Sequence, residues 1–343
     1  MARKDIVVIG ASAGGMEALQ KLVAGLPPEL PAAVFVVWHL SPGLKSVLPS
    51  VLNKAGPLRA AHPQDGDRIE QGRIYVAPND HHMLLENGYV RVARGPKENR
   101  FRPAVDPLFR SAAYVYGPRV IGVVLTGALD DGTAGLWTIK LRGGTAIVQE
   151  PEEALIRGIP LNALDNVAVD HKLPVLQIGD LVARLVREAA GEPIAVPQAE
   201  QEKTLHELRI AKEREALEED VQKFGEFSPF TCPECRGVLT MLREGRIIRF
   251  RCHTGHAFSA ATLLNSASDD IESRLWDAIR AVDETVLLLN RLGEEFAKNG
   301  NTAAAERCLD KAREAHERVA PLREVAMDSE DLDVDKLREK ASG

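Results

Sequence analysis

The chain has 343 residues, 45% of them hydrophobic, so it is long enough for two or three domains and at least one sizeable core. Its formal net charge of -7 argues against a general nucleic-acid binder and against a protein of anionic membrane surfaces. No apolar run is long enough to span a bilayer, and residues 1–5 lead straight into a strand pattern, so we expect neither a membrane span nor a signal peptide.

The first predicted element is a buried strand over residues 5–9, followed at once by a glycine-rich turn. Ser12 lies in this turn between Gly10 and Gly14, and a helical apolar period begins at Met16. A serine on a strand-to-helix turn is exposed in the way that a nucleophile requires. A phosphate site and a helix N-cap are the alternatives. A dinucleotide site is excluded, because it needs a glycine in place of Ser12 and a carboxylate after the second strand.

Residues 1–190 alternate apolar strands with helical segments. This alternation predicts an α/β domain with a doubly wound, mostly parallel sheet. Unbroken apolar runs within it are typical of strands that are buried on both faces. The individual predictions are strands over 33–38, 120–125 and 145–149, a helix over 133–141, and an inserted β-hairpin over 83–92.

Three residues of complementary chemistry follow predicted parallel strands. Ser12 follows the first strand, His39 follows the second, and the pair Asp130-Asp131 follows the strand over 120–125. Because the carboxyl ends of parallel strands share one edge of the sheet, we expect these side chains to meet. Histidine can take the serine proton and a carboxylate can orient the imidazole, so the pattern predicts a Ser-His-Asp triad. The alternatives are a structural histidine and a simple helix cap at the two aspartates.

The C-terminal half has a different composition. Charges of both signs fill residues 201–221, which predicts a solvated linker helix without chemistry. Two helical patterns, over 269–297 and 302–325, predict a helical hairpin. The predicted division is a catalytic α/β domain (1–190), a linker with a charged helix (191–226), a zinc-ribbon-like module (227–262), a helical hairpin (263–328) and a loose tail (329–343).

The cysteine module has the spacing of a metal site. Cys232 and Cys235 form one knuckle, and Cys252 and His256 form a second. Three thiolates and one imidazole complete a tetrahedral shell, so the pattern predicts a structural zinc ion that supplies folding energy. A redox pair is the alternative, but the βαβ context that it requires is missing. Thiols used in this way favour a reducing compartment, and we expect a cytoplasmic protein.

Five arginines make the cysteine module basic. Basic zinc ribbons often bind nucleic acid, but this one has few aromatic residues on which bases could stack. We therefore expect the module or the helical hairpin to dock a regulatory protein partner. The arginines are Arg236, Arg243, Arg246, Arg249 and Arg251.

Several motifs occur in order along the first 190 residues. They are Ile9-Gly10-Ala11-Ser12-Ala13-Gly14-Gly15, His39, the segment Arg102 to Ser111, Leu125-Thr126-Gly127, Asp130-Asp131-Gly132 and Gly158-Ile159-Pro160. Over residues 5–188 they resemble the catalytic domain of the chemotaxis protein-glutamate methylesterases (CheB-type). The resemblance implies a signal-transduction hydrolase that removes methyl esters from glutamate side chains of chemoreceptors or similar signalling proteins. In some members it implies glutamine deamidation as well, and it implies no cofactor for catalysis.

The resemblance also assigns roles by position. Ser12 is the nucleophile, His39 the base, and Asp131 rather than Asp130 the orienting acid. The Ala13 backbone N–H is the first expected oxyanion donor, and the resemblance suggests Ala128 as the second. Family members often carry threonine and methionine at these two positions. Because the donors are backbone groups, we expect activity with an altered pocket.

Two further expectations concern regulation and the helix after Arg102. The family enzyme usually carries an N-terminal phosphoryl-receiver domain, whereas this chain begins with the catalytic strand, so we expect no phosphorylation control. Asp106-Pro107 predicts a helix N-cap, with a substrate contact of Arg102 and Asp106 as the alternative. The alternative functions are a non-enzymatic regulator or scaffold that uses the same domain, and an esterase for another small ester or amide.

Overall fold

The computed structural model describes residues 2–39, 46–212 and 221–327. The chain forms two compact units, Met1–Leu263 and Leu264–Gly343. The first unit contains both the α/β part and the cysteine module, and the five-segment division stays a prediction. The tail over 329–343 and part of the predicted linker helix, residues 213–220, lie outside the described residues.

A seven-stranded parallel sheet forms the centre of the first unit. Its strands are β1 (Ile6–Ala11), β2 (Ala33–Trp38), β3 (Arg59–Ala61), β4 (Arg73–Val76), β7 (Val120–Val124), β8 (Thr145–Gln149) and β9 (His171–Leu173). The order across the sheet is β3-β4-β2-β1-β7-β8-β9, with β1 paired in parallel to both β2 and β7. Every residue of β1 and β7 is buried, as the apolar runs predict. The predicted α/β class with a parallel sheet is confirmed.

Helices cover both faces of the sheet. On one face, α1, α2 and α6 pack against the alternate side chains of the central strands. On the other face lie α3, α4, α5 and the antiparallel hairpin β5–β6, which confirms the predicted insertion. The bounds are α1 (Gly15–Ala24), α2 (Leu48–Ala55), α3 (Val105–Tyr116), α4 (Thr133–Leu141), α5 (Gly158–Asn166), α6 (Val175–Leu185), β5 (His82–Glu86) and β6 (Tyr89–Ala93).

The strand order reverses beside β1, and this reversal creates the crevice for a site. From β1 the chain crosses to β2 on one side, whereas β7, β8 and β9 lie on the other side. The connections after β1 and β7 therefore diverge at the carboxyl edge and leave a crevice there. Gly10 lets α3 approach β1 closely, because a Cβ at this position would overlap Val105.

The cysteine module is a four-stranded antiparallel sheet in the same compact unit. Its strands are β10 (Glu226–Thr231), β11 (Val238–Glu244), β12 (Ile247–Cys252) and β13 (Ala257–Ser259). A small apolar cluster that includes Leu239, Phe250 and Phe258 forms its core. We call residues 226–259 the ribbon.

The linker helix α7 (Gln198–Lys212) is buried along much of its surface, so the prediction of a solvated helix is wrong. Leu208 and Ala211 pack on Leu84 and Ala93 of the hairpin, and the Glu207 side chain is almost fully buried. A segment rich in charges is usually solvated, but this holds only where no other segment supplies opposite charges that can pair with them in the interior. Here the buried charge of Glu207 is neutralised by arginines from distant segments.

The predicted C-terminal helices are confirmed as α8 (Ala260–Lys298) and α9 (Thr302–Met327). α8 begins at Ala260 rather than near residue 269, because Ser259 Oγ caps it by accepting the Thr262 N–H at 3.0 Å. In the second unit Ile279 and Val319 belong to a shared apolar cluster of the two helices. Across the described ranges, no helix combines the length and apolarity needed to cross a membrane.

Candidate active site and metal cluster

Ser12 follows β1 directly, and hydrogen bonds hold its backbone from two sides. Its N–H donates to the Thr126 carbonyl at 3.0 Å, and its carbonyl accepts the Trp38 indole N–H at 2.9 Å. Gly14 adopts φ +76° and caps α1, a conformation that favours glycine. The turn thus presents the Ser12 hydroxyl at the carboxyl edge of the sheet.

His39 bridges Ser12 and Asp131. Its Nδ1 lies 3.1 Å from Ser12 Oγ, and its Nε2 lies 2.7 Å from Asp131 Oδ2. Since an ionised carboxylate can only accept, Nε2 carries the ring proton and Nδ1 is free to accept from the serine. The His39 and Asp131 side chains are each only 3% exposed. The structure brings the three sequence-predicted residues together in the order serine, histidine and aspartate, with the histidine in hydrogen-bonding distance of both others.

Asp131 is surrounded by donors. Besides His39, its carboxylate accepts the Val105 N–H at 2.6 Å, the Asn99 amide at 2.8 Å and the Asp106 N–H at 3.4 Å. Burial raises the pKa of Asp131, but the hydrogen bond and charge of His39, followed by the Val105 and Asn99 donors, outweigh burial and hold it below its usual value. Asp131 therefore stays ionised beside the imidazole.

Asp106, predicted as a helix N-cap, and Asp131, for which a cap is the alternative to the triad role, each accept N–H groups from the other's helix. Asp131, which precedes α4, accepts the first N–H groups of α3, while Asp106 on α3 accepts the Gly135 N–H of α4 at 2.7 Å. The N-cap residues themselves are Ala104 and Gly132. The N-cap prediction for Asp106 is therefore wrong. Burial and the Asp131 charge raise the pKa of Asp106 to about 8, and its 2% exposure leaves no surface for a substrate.

The two expected oxyanion donors lie on turns that are locked together. Thr126 Oγ donates to the Ala13 carbonyl at 2.9 Å, and Asn162 donates to the Leu129 carbonyl at 2.8 Å. Ala13 and Ala128 are exposed, and the N–H of neither has an acceptor among the residues that the structure describes. Free, fixed N–H groups of this kind can stabilise a developing oxyanion.

A cleft of about 400 Å³ opens over Ser12. Its wall combines the apolar side chains of Met16, Trp38 and Phe101 with the polar side chains of Ser12, His39 and Glu17. Such a cleft admits a small group to the serine, while Asp131 lies on the far side of His39. The cleft is lined by Ser12, Ala13, Gly14, Met16, Glu17, Trp38, His39 and Phe101.

Sequence reasoning missed three residues next to the triad. Asn99 donates to Asp131, the Phe101 ring stacks on the His39 ring at 3.9 Å between centroids, and Glu98 lies fully buried beside them. They precede the Arg102 motif, in a stretch without apolar periodicity. The only local signal was an asparagine that can adopt a positive φ, and Asn99 has φ +49°.

The four predicted metal ligands lie together. Their ligand atoms are all within 4.8 Å of one another, with Cys235 Sγ 3.6 Å from Cys252 Sγ and His256 Nδ1 3.7 Å from Cys232 Sγ. Ligands on a tetrahedral zinc ion, with bonds of about 2.0–2.3 Å, are separated by about 3.5–3.8 Å. The Thr254 hydroxyl, 3.0 Å from Cys252 Sγ, can donate to a thiolate. The cluster fits zinc in ligand type and spacing.

Two of the five ribbon arginines are buried and do not contribute to a basic surface. Arg249 and Arg251 are at most 1% exposed and form ion pairs with Glu98 and Glu207. Arg249 also binds Glu244 at 2.9 Å. This part of the ribbon packs on its own chain, so these two of the five arginines that make the module basic in sequence are neutralised in the interior.

The comparisons with known proteins agree with the site. The family model for CheB methylesterase matches residues 7–182, the part of the chain that contains Ser12, His39 and Asp131. The chain belongs to the CheB methylesterase family. The crystal structure of the Thermotoga maritima CheB methylesterase catalytic domain is similar, with a TM-score of 0.51 and 35% identity, over 53% of this chain and 98% of that chain.

Curated CheB relatives carry a two-part name. The protein-glutamate methylesterase/protein-glutamine glutaminase 2 of Methanosarcina mazei is 40% identical over 192 residues, 54% of this chain and 52% of the relative. The corresponding Thermotoga maritima protein is 36% identical over 185 residues, 53% of this chain and 54% of the relative. The chain thus spans about half the length of the curated relatives that it matches.

Proposed function

We propose that the protein is a serine hydrolase that removes methyl esters from glutamate side chains of a chemoreceptor or similar signalling protein. The observation that carries the proposal is the bonded series Ser12 Oγ, His39 Nδ1, His39 Nε2 and Asp131 Oδ2, with separations of 3.1 and 2.7 Å. Family membership supports the substrate class. The three clustered thiols support a reducing, cytoplasmic location.

In the proposed reaction, Ser12 Oγ attacks the ester carbonyl as His39 Nδ1 takes its proton. Asp131 stabilises the resulting imidazolium through Nε2–H without accepting the proton itself. The Ala13 and Ala128 N–H groups receive the oxyanion. His39 then donates its proton to the departing methoxide, which leaves as methanol. The glutamyl group remains bound to Ser12 as an ester. Water, deprotonated by His39, releases the glutamate and restores the serine.

The same residues support glutamine deamidation. An amide nitrogen leaves only after protonation, and His39 Nδ1 holds the serine proton beside it when the tetrahedral intermediate collapses. The acyl-enzyme is identical to that of the ester reaction, and ammonia replaces methanol. Deamidation is therefore part of the proposal, in keeping with the two-part name of the relatives.

Methanol release from a methylated chemoreceptor fragment tests the proposal. We expect one methanol for each methyl group lost, measured with the full chain, and ammonia from a fragment that carries glutamine at the same sites. An unmethylated glutamate fragment is the matched control and should yield neither product. Absence of methanol from folded protein would reject the methylesterase proposal.

We further propose that Cys232, Cys235, Cys252 and His256 bind one structural zinc ion. The observed spacings fit its tetrahedral shell, and four protein ligands leave no open position for catalysis. When bound, the ion would cross-link the two knuckles of a ribbon whose apolar core is small. The ribbon residues then need the metal in order to fold.

Metal analysis of protein purified under reducing conditions is expected to give one zinc ion per chain. Cys235→Ser should lose it, because the remaining ligands no longer close the shell. Cys308→Ser, which removes a thiol on α9 outside the cluster, is the matched control and should keep the zinc. Equal zinc content in both variants would contradict the assignment.

A further inference from the structure

A short segment, residues 97–101, lies between the ribbon and the triad. We call it the linking segment. On the ribbon side its backbone pairs with β13, where the Asn99 N–H donates to the Ala257 carbonyl at 2.8 Å and the Ala257 N–H donates to the Lys97 carbonyl at 3.1 Å. The linking segment, a loop of the catalytic part, thus pairs with β13 of the ribbon as one strand pairs with another.

Buried charges join the ribbon to the linking segment a second time. Glu98 is fully buried and binds Arg249 at 3.0 Å and Arg251 at 2.9 Å from the ribbon, and Arg110 at 2.8 Å from α3. Burial raises the pKa of Glu98, but the three guanidinium groups hold it well below its usual range. Arg251 also donates to the Gly255 carbonyl at 2.6 Å, inside the second metal knuckle. Undocking the ribbon would leave the buried Glu98 carboxylate with one of its three cations.

On the triad side, Asn99 uses both ends of its amide. Its Oδ1 accepts the Ser259 N–H from β13 at 2.9 Å, and its Nδ2 donates to Asp131 at 2.8 Å and to Asp106 at 3.1 Å. The residue is 2% exposed. Only a primary amide of this length accepts once and donates twice, so neither aspartate nor alanine can replace these contacts.

Phe101 gives the linking segment a second contact with the triad. Its ring lies parallel to the His39 imidazole, with an interplanar angle of 8°. The stack covers one face of the base and restricts its rotation about χ2. The segment therefore touches both the base and the acid, while Ser12 is held separately by the β1 and β7 turns.

We propose that Asn99 is a positioning residue for the triad, and that the ribbon holds it in place through β13 and the Glu98 ion pairs. This inference rests on the proposed hydrolase function. Asn99 acts through Asp131 and contacts no substrate. Without it, one Asp131 oxygen loses its best donor, the carboxylate can rotate, and His39 is no longer held with Nδ1 towards Ser12.

The test compares four variants of the full chain: Asn99→Ala, Asn99→Asp, Arg251→Met and Arg246→Ala. Asn99→Asp keeps the shape of the side chain and the acceptor for the Ser259 N–H, but an ionised aspartate donates no hydrogen bond to Asp131. This variant therefore tests the same contact if Asn99→Ala does not fold. Arg251→Met removes the Arg251 ion pairs with Glu98 and Glu207 and leaves those of Arg249 in place. Arg246 is exposed on the same ribbon hairpin, so Arg246→Ala is the matched control.

Three readouts separate positioning from folding. Labelling of Ser12 by a fluorophosphonate probe gives a rate, which reports activation, and an end point, which reports the folded fraction. The downfield proton resonance of His39 Nε2–H, assigned by its loss in His39→Gln, reports the bond to Asp131 without any substrate. Methanol release gives kcat and KM separately.

We expect the Asn99 and Arg251 variants to reach the wild-type labelling end point about 10-fold to 100-fold more slowly, as loss of a hydrogen bond to a charged group predicts. Their kcat should fall with KM unchanged, and the downfield resonance should shift or broaden, while Arg246→Ala behaves like wild type. Wild-type rates with an unshifted resonance would overturn the inference. A lower end point at an unchanged rate would also overturn it, because the role would then be folding alone. If wild-type protein labels but releases no methanol, the methylesterase proposal fails, and the labelling rates and the resonance still decide the role of Asn99.

Discussion

Ser12→Ala is expected to lower methanol release by about a millionfold, to the limit of detection, because no other group can form the acyl intermediate. Among the described residues the hydroxyl has one hydrogen-bond partner, His39 Nδ1 at 3.1 Å, and it lies at the open cleft. Its removal should change the unfolding free energy by only about 1 kcal/mol. Rate and stability are thus expected to separate cleanly in this variant.

Mass spectrometry provides the direct check. Wild-type protein mixed with a fluorophosphonate or with methylated fragment should gain one adduct on the peptide that contains Ser12, and the variant should gain none. Ser50→Ala, the same change at an exposed position on α2, is the matched control and should keep full activity. If Ser12→Ala released methanol at even a tenth of the wild-type rate, Ser12 could not be the nucleophile.

Asp131→Asn is expected to lower kcat by about 10⁴-fold while the fold persists. The four partners that the described part of the chain offers to the Asp131 carboxylate are all donors. An asparagine NH₂ group facing His39 would force the ring proton onto Nδ1, where it points at Ser12 and blocks proton transfer. An NH₂ group turned the other way would face the Asn99 amide donor instead. In both cases the charge that stabilises the imidazolium is lost.

Asp130→Asn is the matched control for this change, since it is the same substitution at the neighbouring position. Asp130 accepts hydrogen bonds from the Ser259 hydroxyl at 2.6 Å and the Thr262 hydroxyl at 3.3 Å, which an asparagine oxygen can also accept. Burial raises the pKa of Asp130 to about 6, so the surroundings disfavour its charge and do not depend on it. We expect a small effect on kcat. Equal losses in the two variants would contradict the assignment of Asp131 as the orienting acid.

The α/β fold and the edge that carries the site follow from local pattern. The apolar run at 33–38 becomes β2 with the predicted bounds, and the helix over 133–141 becomes α4. The apolar run indicates a strand that is buried on both faces, and the helical period indicates a helix. Neither pattern depends on which segment of the chain packs against it. Ser12, His39 and Asp131 each follow a strand, so the parallel arrangement alone brings them to one edge.

The partners of those residues depend on segments far away in the sequence. Asp131 receives donors from α3 and from Asn99, and the exchange of caps with Asp106 exists only because α3 and α4 lie side by side. A helix cap is predicted from the residues next to the start of a helix, so each aspartate is assigned to the helix that follows it in the sequence. Those nearby residues contain no information about a neighbouring helix that offers the same free N–H groups.

The amino-acid sequence alone is enough to predict the α/β class, the family, the edge of the sheet where Ser12, His39 and Asp131 meet, and the four residues of the cysteine cluster. Which charges are buried depends on the tertiary structure. Glu207 belongs to a segment predicted to be solvated, and Arg249 and Arg251 to a module predicted to be basic, yet they neutralise one another in the interior. Composition measures how many charges a segment has, whereas burial depends on whether another segment supplies the opposite charge at hydrogen-bonding distance.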